Sequence, residues 1–173
     1  GGEGGAPGAE PSDHPAAFAP SVWTYDPESG EYYLGLFSPG QPDLNWENPE
    51  VRRAVHTMMR WWIDRGVDGF RMDVINLISK PADFAQDDSD GRRFYTDGPR
   101  VHAYLQEMHR EVFAGHDLVS VGEMSSTSLQ HCIRYSNPQS RELSMTFNFH
   151  HLKVDYPNQQ KWVHGDVDFL ELK

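Results

Sequence analysis

The sequence holds one cysteine, Cys132, in 173 residues. A single thiol excludes an internal disulfide framework and a cysteine-based zinc site. Basic residues are scarce, with 15 Lys and Arg against 26 Asp and Glu and a formal net charge of −11. A surface of that sign repels phosphate backbones and acidic headgroups, so neither nucleic acid nor a membrane is expected as a partner. No apolar run approaches the roughly 20 residues of a membrane-spanning helix. No basic stretch followed by an apolar core opens the chain, so the sequence shows no signal peptide and a cytoplasmic location is expected. What is abundant points to a folded protein. Aromatics reach 12% and hydrophobic residues 38%, too many for a disordered chain, and the length suits one domain with a real core.

Residues 1–21, GGEGGAPGAEPSDHPAAFAPS, contain almost no large apolar side chains. They are expected to lack fixed structure and to be non-native or loop sequence, with His14 solvated. From Trp23 the composition changes. WTYDPESGEYYLGLF reads as two short strands around a turn supplied by Asp26, Pro27, Ser29 and Gly30. Residues 22–47 form a hairpin and a connecting loop. Asn48 then caps a helix with Pro49 at its first position and Glu50 in its first turn. Val51, Val55, Met58, Met59 and Trp62 give that helix its apolar stripe, and Gly66 stops it. A strand follows in VDGFRMDV, with Phe70, Met72 and Val74 alternating with Arg71 and Asp73.

A second helix opens near Asp97, Gly98 and Pro99. Val101, Tyr104, Leu105, Met108 and Val112 form its buried stripe. Leu118, Val119 and Val121 lead a strand into Gly122-Glu123. A third helix starts among Ser125, Ser126 and Thr127, and LSMTFNF over 143–149 is another strand. Helices alternating with strands over residues 48–173 predict an α/β fold with parallel strands.

Two acids occupy equivalent places in this pattern. Asp73 lies near the end of one strand and Glu123 ends the next. Neighbouring parallel strands lie about 4.8 Å apart, so carboxylates on adjacent strand ends can face each other across a small cleft. Retaining glycosidases need that arrangement, at a separation of roughly 5 Å. Arg71, two residues before Asp73, points to the same side of its strand and could keep Asp73 ionised. The alternatives are a helix cap for each acid and an ordinary ion pair for the arginine. The acidic cluster at Asp83, Asp87, Asp88 and Asp90 lacks a regular ligand series with a distal Glu, so no metal site is expected.

At GFRMDVINLISK the chain resembles the alpha-amylase family of glycoside hydrolases, and within it the group of oligo-1,6-glucosidases and trehalose-6-phosphate hydrolases. The nucleophile motif of the family falls on Arg71 and Asp73, and its acid/base motif on Val121, Gly122 and Glu123. QPDLNWENPEVR, DGRRFYTDGPR, VGEMSSTSLQHCIRYSNP and ELSMTFNFHHLKVDYPN carry the resemblance to other parts of the chain. It implies a partial (β/α)8 TIM barrel, about strands four to six with their helices, preceded by the end of an inserted domain. It implies Asp73 as nucleophile and Glu123 as acid/base, acting on a small sugar substrate expected to be phosphorylated.

Trehalose 6-phosphate is the implied substrate, and unphosphorylated α-glucosides are the alternative. No organic cofactor is implied. In the family, a valine at the position of Val74 goes with α-1,6 and α-1,1 linkages; packing in the barrel core would also explain it. His150 and His151 fall where relatives place polar residues near the sugar, and Phe147 and Phe149 could meet a sugar face or pack in the core. Lys80, Arg92 and Arg93 are the candidate phosphate donors, the alternative being a solvated loop of mixed charge. The family motif with an Asn-His pair is expected upstream of this sequence and the His-Asp pair downstream. The 173 residues are therefore expected to be an internal part of a longer enzyme, inactive or nearly so by themselves. The alternative of another class is a binding subunit without catalysis, against which both acids count.

Overall fold

The computed structural model describes residues 8–80, 92–149 and 165–166, and of Arg93 only the backbone. Strands β1 (Trp23–Asp26) and β2 (Glu31–Leu34) pair antiparallel around a turn in which Asp26 accepts hydrogen bonds from the Glu28 and Ser29 amides. Helix α1 (Pro49–Ile63) starts as its capping signals require. The Asn48 side chain accepts the Glu50 N–H at 2.9 Å, and Pro49 occupies a position that needs no donor. Gly66, at φ 89°, turns the chain out of the helix.

Strand β3 (Gly69–Met72), helix α2 (Arg92–Tyr95), helix α3 (Val101–Met108), strand β4 (Val119–Met124), helix α4 (Leu129–Ser136) and strand β5 (Met145–Asn148) follow in order. A wider π-helical turn, His109–Phe113, prolongs α3. The three strands form one parallel sheet in the order β3-β4-β5. Their side chains alternate between two faces. Phe70, Met72, Met124 and the neighbouring Leu143 enter a core with Val101, Tyr104, Leu105, Met108 and Val112, each of these five at most 1% exposed. The opposite face carries Arg71, Val119, Glu123, Met145 and Phe147. Among the described residues no layer covers it, and Val119 and Met145 are about half exposed. A parallel sheet with helices on one face and the other face open is the layout of consecutive βα units of a (β/α)8 barrel.

Several expectations need correction. Residues 8–21 are not loose: Ser12 and His14 are buried, Ala17 and Phe18 donate to the carbonyls of Leu36 and Phe37, and Val22 donates to that of His14. Backbone pairing to the hairpin supplies what the missing apolar side chains do not. Residues 1–7 lie outside the described residues. On α1, Met59 and His56 are buried, whereas Met58 and Trp62 are about half exposed. The helix meets α3 along a narrower stripe than its apolar residues offer, with Arg52 ion-paired to Glu107 at 2.8 Å across the contact. The strand expected to run through Val74 ends at Met72. Val74 takes a left-handed conformation, φ 35°, and starts a short 3₁₀ turn, Ile75–Leu77. A branched side chain rarely adopts that conformation. Here it is held by packing with Val22, Leu36, Leu77 and Tyr95. The third helix begins at Leu129, capped by Ser128 rather than by an earlier residue.

Candidate active site

Register brings the two acids together. Met72 pairs with Gly122, so Asp73 and Glu123 come next on neighbouring strands, and Glu123 pairs with Phe147 on the third. The glycine between Val121 and Glu123 has a packing reason. A Cβ on Gly122 would stand 2.5 Å from Leu143 Cδ1 and 2.7 Å from Met124 Cε, closer than real contacts allow. The strand is therefore closely covered on that face by Leu143, Met124 and Ile75, while Glu123 projects from the other.

Arg71 joins the acids. Its Nη1 donates to Asp73 Oδ1 and its Nη2 to Glu123 Oε2. The guanidinium also stands 5.8 Å from the centre of the Phe147 ring, within cation–π range. One guanidinium bonded to both carboxyls suits the short separation of retaining glycosidases, not the roughly 6.5–9.5 Å that leaves room for water in inverting ones.

Electrostatics separate the roles. The Arg71 hydrogen bond holds the Asp73 carboxyl below the ordinary carboxylate range, and the adjacent Glu123 carboxyl acts in the same direction. Burial raises Glu123 above its ordinary value. The adjacent Asp73 carboxylate adds to the rise, while Arg71 and a bond from the Val74 amide oppose it. Side-chain exposure agrees, at 71% for Asp73 and 10% for Glu123. Of the two carboxyls, Glu123 therefore holds a proton more tightly than Asp73. Pairs of carboxyls in unlike environments divide in this way, one more readily ionised and the other more readily protonated.

The remaining candidates divide. Phe147 and Phe149 lie edge to face, 5.8 Å between centres, and each is 37% exposed. They flank the acids and are not core residues. Lys80 is engaged elsewhere: its ammonium donates to Asp43 at 3.0 Å and to the Leu77 carbonyl at 2.8 Å, with 14% of its side chain exposed. That bond ties the Gln41–Asn48 loop to the loop after β3. Arg92 is exposed, and its Nη1 reaches Ser126 Oγ at 3.5 Å on the loop that follows Glu123. A cleft of about 180 Å³ runs beside it, lined by Leu36, Phe37, Leu77, Arg92, Ser125 and Ser126. The Arg93 side chain, His150, His151 and the acidic cluster at 83–90 lie outside the described residues. Among the described residues no group of three His, Cys, Asp or Glu side chains could hold a metal ion.

Sequence reasoning missed Asn76. It is fully buried, and its side-chain amide pairs with the Ser125 backbone twice, accepting the N–H at 2.9 Å and donating to the C=O at 2.8 Å. Asp97, expected only to open a helix, lies behind it at 3.2 Å. The available signal was an amide in the otherwise apolar run Val74–Ile78, a position that a buried residue tolerates only with its polar atoms paired.

Comparison with known proteins places this geometry. Residues 2–173 match the family model described as alpha amylase, catalytic domain. The trehalose-6-phosphate hydrolase of Bacillus subtilis (strain 168) is 57% identical over 167 residues, which are 96% of this chain and 30% of that protein. An oligo-1,6-glucosidase of Parageobacillus thermoglucosidasius is 48% identical over 165 residues, 91% of this chain and 29% of that protein. The crystal structure of Bacillus licheniformis trehalose-6-phosphate hydrolase superposes with a TM-score of 0.88 at 59% identity, over 95% of this chain and 30% of that one. The chain thus spans about 30% of the length of the curated relatives it matches. With a family match over nearly every residue and two acids side by side on neighbouring barrel strands, the chain belongs to the alpha-amylase catalytic-domain family.

Proposed function

We propose that this chain carries the nucleophile and the acid/base of a retaining α-glycoside hydrolase that cleaves trehalose 6-phosphate into glucose and glucose 6-phosphate. The observation that carries the reading is Arg71 bonded to both carboxyls while their proton affinities move in opposite directions. Asp73 attacks the anomeric carbon, and Glu123 gives its proton to the bridging oxygen. Glucose 6-phosphate leaves, and a glucosyl ester on Asp73 remains. Glu123, now a carboxylate, takes a proton from water. The resulting hydroxide equivalent attacks the same carbon and releases glucose, restoring both acids. Two inversions return the original anomeric configuration. Phe147 and Phe149 offer apolar surface to the sugar ring, and Arg92 and Arg93 are the proposed donors to the phosphate. Val74 is proposed to shape the site for an α-1,1 linkage. A phosphorylated sugar as substrate favours a cytoplasmic setting.

The substrate assignment rests on the relatives' names and is tested directly. The full-length polypeptide that carries this segment is assayed on trehalose 6-phosphate and on isomaltose. A kcat/KM at least about 100-fold higher on the phosphorylated sugar is expected, because donors placed for the phosphate are left without their partner by a sugar that lacks it. Equal or better turnover of isomaltose would make it an oligo-1,6-glucosidase instead, a reading that the engagement of Lys80 with Asp43 favours.

The pH profile tests the roles of the acids. A bell-shaped kcat/KM is expected, with its acid limb below the ordinary Asp value and its alkaline limb above the ordinary Glu value. Arg71→Met removes the main cause of the low Asp73 value. The acid limb then moves to higher pH, so activity is lost earlier on acidification. An acid limb left in place by that substitution would show that Arg71 does not hold Asp73 ionised.

A further inference from the structure

Beyond Met72 and Gly122 the backbone ladder between β3 and β4 stops. The two acids sit past its end, each at the base of a loop. Apart from the bonds of the acids themselves, the next link between those loops among the described residues is the double hydrogen bond of the Asn76 amide to Ser125. Asn76 lies three residues after Asp73, and Ser125 two residues after Glu123. Used in this way, a side-chain amide extends the sheet by one artificial rung.

The rung has its own support. Asp97, left-handed at φ 51°, donates its N–H to the Asn76 carbonyl at 3.1 Å and accepts from Asn76 Nδ2 at 3.2 Å. Its carboxylate also accepts from Tyr135 OH at 2.6 Å and Thr127 Oγ1 at 2.5 Å, and His131 Nδ1 lies 3.1 Å from it. Burial, then the bond to Asp97, pushes the Tyr135 phenol well above its ordinary value, so it stays a donor. From the lead into α3, this carboxylate thus joins the turn after β3 to Thr127 and to α4 at both His131 and Tyr135. None of these side chains belongs to the reacting set.

We propose that Asn76, braced by Asp97, is a positioning residue that fixes the reach of Glu123 to Asp73 and so aligns the proton donor with the leaving oxygen. The inference rests on the proposed glycosidase reading and adds a residue to it. Cutting the rung frees the loop after Glu123 while both acids stay in the chain. A misplacement of about 1 Å at such a site costs on the order of 100-fold in rate. The loss falls on proton donation, so it is largest for a leaving group that needs protonation.

The test uses the full-length polypeptide with Asn76→Ala, Thr127→Val and, as a stability control, the core variant Met59→Ala. Each is assayed on trehalose 6-phosphate, on isomaltose and on 4-nitrophenyl α-glucoside, whose phenolate leaves without a proton. For Asn76→Ala, kcat/KM on the better disaccharide falls about 100-fold, and kcat/KM on the aryl glucoside, which reports a glucosylation step that needs no proton donor, falls far less. The alkaline limb of its pH profile moves down, because Glu123 moves away from the Asp73 charge that helps to raise it. Thr127→Val shifts the same two readouts in the same direction by less, and decides the matter if Asn76→Ala does not fold. Met59→Ala lowers the melting temperature and leaves the substrate ratio and the limb in place. The inference is overturned if the Asn76 and Thr127 variants keep the wild-type substrate ratio and limb, or if Met59→Ala shifts them equally. Wild-type protein inactive on all three substrates would overturn the proposed function itself, and the inference with it.

Discussion

Replacing Asp73 with Asn is expected to lower turnover by about four orders of magnitude or more, the scale on which loss of a covalent nucleophile acts. The substitution is close to isosteric. The amide oxygen can still accept from Arg71, and the position is mostly exposed, so stability should change by no more than about 0.5 kcal/mol. What disappears is the charge that attacks carbon. In the truncated Asp73→Gly protein, external azide, small enough to enter the vacated place, should restore some turnover of an activated α-glucoside. Because only one displacement then occurs, the product is the β-glucosyl azide. Near-normal turnover by the Asp73→Asn protein, or an azide product of retained configuration, would remove Asp73 from the nucleophile's role.

Glu123→Gln is expected to act selectively. General acid catalysis contributes roughly 10²–10⁴-fold, and that is the loss expected on a disaccharide, whose leaving oxygen is a poor anion. An aryl glucoside with an acidic phenol needs little help to depart, so its glucosylation step should be nearly unaffected. The second step still needs a base. Glucosyl-enzyme should accumulate, seen as a burst of phenol, and azide should relieve it to give the α-glucosyl azide by two displacements. The alkaline limb of the pH profile should vanish, since its origin is the proton that burial and Asp73 keep on Glu123. An equal loss of kcat/KM on both substrate types would mean that residue 123 acts on sugar binding and not on proton transfer.

Much of this site could be read from the residues. Strand alternation puts Arg71 and Asp73 on one face, and a parallel neighbour ending in Glu123 places the second acid beside them. Asn48 and Pro49 marked the start of α1 because an unpaired helix end needs a side-chain acceptor whatever the rest of the fold does. Other features depend on partners far away in sequence. The left-handed turn at Val74 goes against the residue's own preference and is imposed by packing against Val22 and Leu36. Residues 8–21 are ordered by backbone bonds to the hairpin, which composition does not register. Lys80 had the chemistry of a phosphate donor, but Asp43, 37 residues upstream, takes its charge. Pairing of Asn76 with Ser125 spans 49 residues, and no local pattern announces it.

The central claim is that Asp73 forms the bond to sugar while Glu123 moves protons. Incubating the full-length polypeptide with 5-fluoro-α-glucosyl fluoride, whose ring fluorine slows release of the sugar, and mapping the mass increment by peptide fragmentation tests it most directly. One fluoroglucosyl unit on Asp73, absent from the Asp73→Asn protein, is the predicted result. The same unit on Glu123 or on any other residue would contradict it.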